Sequence, residues 1–205
     1  MELEELKSAW AQYDKKLTQN LKLNEVLLRN MNLEKSKREM NSPLINEIIS
    51  EVVGFVFLMF IVSLTIRYSN EFKFLMPGII TSIIVAIWVY NSISLIRLLT
   101  NIDYYYSPVV ELQKSINTLN QKYQKYKKFV LYSIPLFAIS AAPILGIGLR
   151  NFDIYEYPIL FIVAIVLSLI LGYPGQIWIY KNFYDKKIIN TTKFLDELNR
   201  FEKEE

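Results

Sequence analysis

Residues 74–96 read FLMPGIITSIIVAIWVYNSISLI, 23 positions without an Asp, Glu, Lys or Arg. A helix of that length runs about 34 Å at 1.5 Å per residue, enough to cross the hydrocarbon core of a bilayer. Two later windows behave alike: residues 129–149 hold 21 uncharged positions and residues 157–180 hold 24. The window before Phe74 is shorter. Residues 52–66 are 15 uncharged positions, extended by Ile48 and Ile49 and interrupted by Glu51. A helix from Pro43 to Ile66 is about 36 Å long, which puts Glu47 at headgroup level and Glu51 about a turn deeper. Buried helices of soluble bundles show a polar face every turn or two, and these windows do not. The links 67–73 and 150–156 are too short for anything but tight turns. The reading is therefore all-α. It is a four-helix transmembrane bundle of two antiparallel hairpins, with spans near 48–66, 74–96, 129–149 and 157–180.

Charge collects between these windows. Lys and Arg number eight in residues 1–51, six in 97–128 and six in 181–205, against three in the two short links. Positive charge favours the cytoplasmic side. Both termini and the middle segment are thus expected in the cytoplasm, as in a multi-pass inner-membrane protein. The acidic start, Met1-Glu2-Leu3-Glu4-Glu5, does not resemble a cleavable signal peptide.

Each polar segment carries a helical stripe. Leu3, Leu6, Trp10, Tyr13 and Leu17 step by three and four; the stripe blurs at Asn20 and Asn24 and recovers with Leu27, Leu28 and Met31. Residues 1–41 hold eight basic and seven acidic side chains. That mixture suits a helix packed on protein better than one lying on anionic lipid. Such a stripe commonly covers another helix of its own chain; the sharper reading is a face for a second protein. Asn41-Ser42-Pro43 reads as a helix end, with Ser42 capping the next helix. Val109, Leu112, Ile116, Leu119, Tyr123 and Tyr126 form a second stripe, and Lys114, Lys122, Lys125, Lys127 and Lys128 stand on or beside the other face. A helix over 108–128 is about 31 Å long, while residues 96–106 descend at most about 15 Å if helical. This predicts a slanted amphipathic helix in segment 102–128, lying at the headgroups and partly covered by the N-terminal helix. The tail 181–205 places Tyr184, Ile188, Thr191, Leu195 and Leu198 on a third stripe. The divisions are thus 1–41, a hairpin over 42–101, 102–128, a hairpin over 129–180, and 181–205.

The pattern Glu5-Leu6-Lys7, Trp10, Leu17, Asn20 and Asn24, followed by Lys35, Lys37, Arg38 and Leu44 before the first span, resembles a set of small four-span membrane proteins of Bacteroidota type. Their genes often lie beside a gene for an extracytoplasmic-function-type sigma factor. The resemblance covers about the first quarter of the chain and includes no catalytic motif. It implies a regulatory role at the membrane and assigns no functional residue.

The 205-residue chain has no histidine and no cysteine. Imidazole and thiolate chemistry, and metal sites built on either, are excluded. No phosphate loop, dinucleotide fingerprint or nucleophile elbow is present. The expectation is a non-enzymatic protein without a cofactor. Tyr104-Tyr105-Tyr106 sits at a membrane exit, where interfacial tyrosine explains it better than base stacking, so no specific nucleic-acid binding is expected. Three sets of residues stand out. Glu51, Asn91 and Gln176 fall at similar depth in three spans and could form a polar vestibule on the cytoplasmic side. Leu3, Leu6, Trp10, Tyr13 and Leu17 form the candidate partner face. Ala138, Ala142 and Gly146 form a small-residue stripe for close helix packing. The expected partners are the lipid bilayer and a cytoplasmic protein or a second copy of the chain. The functional reading is a regulatory or protein-interaction role through the cytoplasmic helices. The alternative is an oligomeric channel or transporter subunit.

Overall fold

The structure is a computed structural model; it describes residues 3–201, and the side chains of all of these except residues 3–6, 8, 9 and 201. Five helices make up almost all of it: α1 (Leu3–Arg67), α2 (Phe72–Thr100), α3 (Val109–Arg150), α4 (Pro158–Ile179) and α5 (Lys186–Phe201). A 3₁₀ turn, Ile154–Glu156, precedes α4, and a π turn, Tyr180–Asp185, joins α4 to α5. Four helical stretches, in α1, in α2, in α3 and in α4 with its continuation, are long and apolar enough to cross a membrane. No strand occurs among the described residues.

The contacts fix how the helices run against one another. Along α1 and α2, Glu47 meets Ser92, Gly54 approaches Val89 and Thr65 lies against Gly78. Between α2 and α3, Thr81 bonds Ser140 at 2.9 Å and Trp88 bonds Ser133 at 3.0 Å. Between α3 and the last segment, Gln113 reaches Asp196 at 2.8 Å and Lys127 reaches Asp185 at 2.6 Å. In each pair the contact steps down one helix as it steps up the other.

Two hydrophobic cores lie towards the two ends, and Thr81, Ile84, Val85, Ile134, Ala138 and Ala141 are buried between them. The larger core joins Leu33 and Met40 of α1, Leu95 and Leu99 of α2, Leu112 to Tyr123 of α3, and Tyr184 to Leu198 of the last segment. It lies where the charged windows are, so the polar segments form a bundle of their own. The smaller core, Ile61, Leu64, Phe74 and Ile144, sits at the short links. There Tyr68 donates to Asn151 Oδ1 at 3.0 Å, Tyr155 donates to the Lys73 carbonyl at 3.2 Å, and Lys73 pairs with Asp153. None of the residues of α4 is buried; it packs along α3.

Three expectations change. The helix end expected at Asn41-Ser42-Pro43 is absent, since α1 runs unbroken through Pro43. A proline inside a helix removes one hydrogen bond and crowds the preceding turn. Pro43 is fully buried against Leu95, Leu119 and Tyr184, and that packing holds the helical path. The slanted platform over 108–128 is also absent: its residues continue directly into the third apolar window as one helix. The limit of about 15 Å holds only if residues 96–106 are helical, and 101–108 are not. Non-helical chain reaches up to about 3.3–3.6 Å per residue. Lys122 Nζ meets Ser94 Oγ at 2.7 Å, so residue 122 stands level with the end of α2's apolar window and no slant is needed. Third, the N-terminal stripe does not cover α3; α1 packs chiefly on α2 and α5.

Close approach falls on different small residues from those expected. Ala138 is buried and Ala142 half-buried, and a Cβ on Gly146 would stand 3.1 Å from the Phe152 carbonyl. The tightest sites are Gly148 against Leu64 and Gly78 against Thr65, each with only 2.3 Å for a Cβ. Thr65 cannot yield easily, because its hydroxyl donates to the Ile61 carbonyl at 2.8 Å and its side chain is buried. Gly78→Ala is expected to lower the thermal unfolding midpoint in detergent, by about 1–3 kcal/mol of overpacking. Adding Thr65→Gly should recover most of the loss, and an unchanged midpoint for the single variant would contradict the contact.

The link-to-link ion pair carries a pH signature. The Lys73 ammonium beside Asp153 holds that carboxyl below the ordinary aspartate range, and the Tyr155 N–H adds to the effect. A lowered folded pKa means the contribution is complete above the unfolded value of about 4 and is lost as pH falls through the folded one. Acid titration of the midpoint should therefore be shallower in Asp153→Asn than in the native chain; superimposable profiles would count against the pair.

Candidate functional site

A partly open cavity of about 370 Å³ lies where the apolar stretches meet the larger core. Its walls include Glu47 and Glu51 of α1, Trp88 and Ser92 of α2, Tyr126 and Phe137 of α3, Gln176 of α4 and Tyr184 of the π turn. Glu47 and Glu51 are four residues apart and so share a helix face. Both point into this space.

Glu47 is the anchor. It is 3% exposed, and each carboxylate oxygen accepts one hydroxyl: Oε2 from Ser92 at 2.5 Å and Oε1 from Tyr184 at 2.6 Å. Asn46 Nδ2 donates to the Tyr184 oxygen at 2.7 Å. Tyr184 in turn stacks on Tyr123 with ring centres 4.9 Å apart. Burial, and next the charge of Glu47, push the Tyr184 hydroxyl above the ordinary tyrosine range. The π turn places this hydroxyl. Its wider winding lets Tyr180 and Tyr184 both turn inward after the unburied α4. Turns of this kind are frequent at functional sites.

Glu51 differs. Its Oε2 is buried with no hydrogen-bond partner. No Lys or Arg forms an ion pair with Glu47 or Glu51 among the described residues. The cavity therefore offers acceptor oxygens with no cation of its own. No group of three His, Cys, Asp or Glu side chains is placed to hold a metal ion, again among the described residues.

The structure brings together two of the three expected vestibule residues. Glu51 and Gln176 line the cavity, but Asn91 does not; its amide donates back to the Ile87 carbonyl at 2.8 Å. Sequence reasoning placed Glu47 at the headgroups and missed its role. The available signal was its spacing of four from Glu51, which puts both on one face.

The expected partner face is separate from the cavity. Leu3 and Leu6 fall outside the described side chains. Trp10, Tyr13 and Leu17 are 70%, 68% and 48% exposed. Among the described residues no other segment covers this part of α1, whereas the stripes of α3 and α5 are both buried.

Tyr184→Phe keeps the stacked ring and strips Glu47 Oε1 of its donor. An unsatisfied buried acceptor costs about 1–3 kcal/mol, more if charged, so the unfolding midpoint should fall clearly, as it should for Ser92→Ala. A midpoint unchanged in both would show that the carboxylate finds other partners.

Compared with protein-family models, curated proteins and solved structures, the chain matches none.

Proposed function

We propose that this is a membrane-anchored interaction protein. Its two antiparallel hairpins hold the chain in an inner membrane, and its cytoplasmic helices present the first thirty residues of α1 to a protein partner. The observation that carries this reading is selective exposure. Three amphipathic stripes look alike in sequence; two bury themselves in the chain's own core, and the first is left open with Trp10, Tyr13 and Leu17 uncovered. Exposed aromatic and aliphatic side chains in one stripe are what a helix-in-groove or helix-on-helix contact uses. The resemblance to proteins encoded beside sigma factors adds a regulatory sense: capture of a partner at the membrane controls its activity. The basic residues of the three polar segments support a cytoplasmic placement of that face.

A second reading rests on the cavity. Glu47 and Glu51 without a cation, beside Gln176, would suit a cation path in an oligomeric channel or transporter subunit. Cation flux in liposomes that is lost in Glu51→Gln would favour it.

The arm reading is tested by photocrosslinking from position 13 in intact membranes. A probe at Tyr13 should capture protein, and Trp10→Ala should reduce the yield several-fold. A yield from Tyr13 no higher than from a lipid-facing position such as Leu171 would overturn it.

A further inference from the structure

The open stripe has a strict period. Leu3, Trp10, Leu17, Asn24 and Met31 recur every seven residues, with Leu6, Tyr13, Asn20 and Leu27 three places after the first four. These are the a and d positions of a heptad, and a seven-residue repeat is the mark of a helix that supercoils on another helix. From residue 10 to residue 31 every one of these positions is exposed. The side of α1 committed to its own chain has a different phase. Leu33, Ser36, Met40, Pro43 and Glu47 are all buried, and they occupy the c and f positions of the same frame. Met31 and Leu33 are separated by about 200° around the helix. The heptad seam thus points away from the bundle, and the bundle cannot fold back to cover it.

We propose that residues 3–31 form a parallel, in-register, two-stranded coiled coil with the same segment of a second copy of this chain. The proposal rests on the arm being an interaction surface and names its occupant. Four observations favour a second copy. Two copies in one membrane insert with the same orientation, so their α1 arms leave the surface side by side, parallel and at equal height. Self-pairing puts like on like: Asn24 at an a position meets Asn24, the pairing that selects register and strand number in parallel dimers. The flanking e and g positions do not clash, since Lys16 would face Leu21 of the other copy and Leu23 would face Leu28. Finally, after a polar interruption at Glu34, Arg38 and Asn41, the apolar register resumes beyond the arm. Ile45, Ile48, Val52, Phe55 and Met59 continue the a and d series, and all five are exposed on the same face of the unbroken helix.

The absence of native cysteine allows a direct test in the full chain in its own membrane. Single variants Leu17→Cys and Asn24→Cys, at a positions, and Lys15→Cys, at an outer f position, are oxidised mildly. A disulfide needs Cα atoms about 4.4–6.8 Å apart, which a positions satisfy and f positions do not, so the two seam variants should give covalent homodimer on the order of fivefold or more above Lys15→Cys. All three variants are conservative in helix terms, and a folding failure is detected by the thermal midpoint. Equal homodimer at all three positions overturns the proposal. So does its absence at positions 17 and 24. The Tyr13 photocrosslink then separates the cases: capture of a different protein with no homodimer sinks the second-copy assignment alone, and no capture sinks the arm reading with it.

Discussion

The Glu47 carboxylate ties three segments together. Placed out of water on α1, it needs its oxygens filled, and the chain fills them with one hydroxyl from α2 and one from the π turn. That requirement sets the register of α1 against α2 and the rotation of the last segment against both. The proline four residues earlier sits in the same packed layer, with Leu95, Leu119 and Tyr184. The helix can therefore pass through Pro43 without ending. What lies above this layer and what lies below it are joined as one continuous helix.

From that continuity follows the unequal treatment of the three amphipathic stripes. The α3 and α5 stripes face each other, clamped by Lys127–Asp185 and Gln113–Asp196, and α1 closes against α5 through Lys187–Glu39. Once residues 33–47 of α1 are engaged, the residues before them are carried beyond the bundle on the opposite face. Every side chain from Trp10 to Met31 is exposed, so Trp10 and Tyr13 are open because this part of α1 runs beyond the bundle. The cavity arises in a related way. Since α4 packs on α3 and buries none of its residues, the space between it and α1 is lined by the few polar groups at that level.

Much of this was legible in the sequence. Charge-free windows gave four long apolar helices, and steps of three and four gave all three stripes. The misreadings have physical causes. Pro43 read as a stop because local propensity cannot register a burial supplied by residues 95, 119 and 184. Residues 96–106 were given a helical rise although 101–108 are not helical, so the second stripe seemed short of room. Glu47 read as a headgroup-level charge because its donors are 45 and 137 residues away. Asn91 was placed by depth alone, and depth says nothing of which way a side chain faces. Gly148 and Gly78, the closest approaches, carry no spacing signal and emerge only from tertiary register.

The central claim is that α1 is one uninterrupted helix from the open arm, through Pro43, into the apolar stretch. Spin labels at Lys22 and Ile49, both exposed, bracket the proline; diluting the labelled chain with unlabelled chain leaves only intramolecular distances. A continuous helix predicts a single narrow distribution near 40 Å, from 27 steps of about 1.5 Å. A broad distribution centred well below that value would mean the helix breaks at Pro43, and would contradict the account.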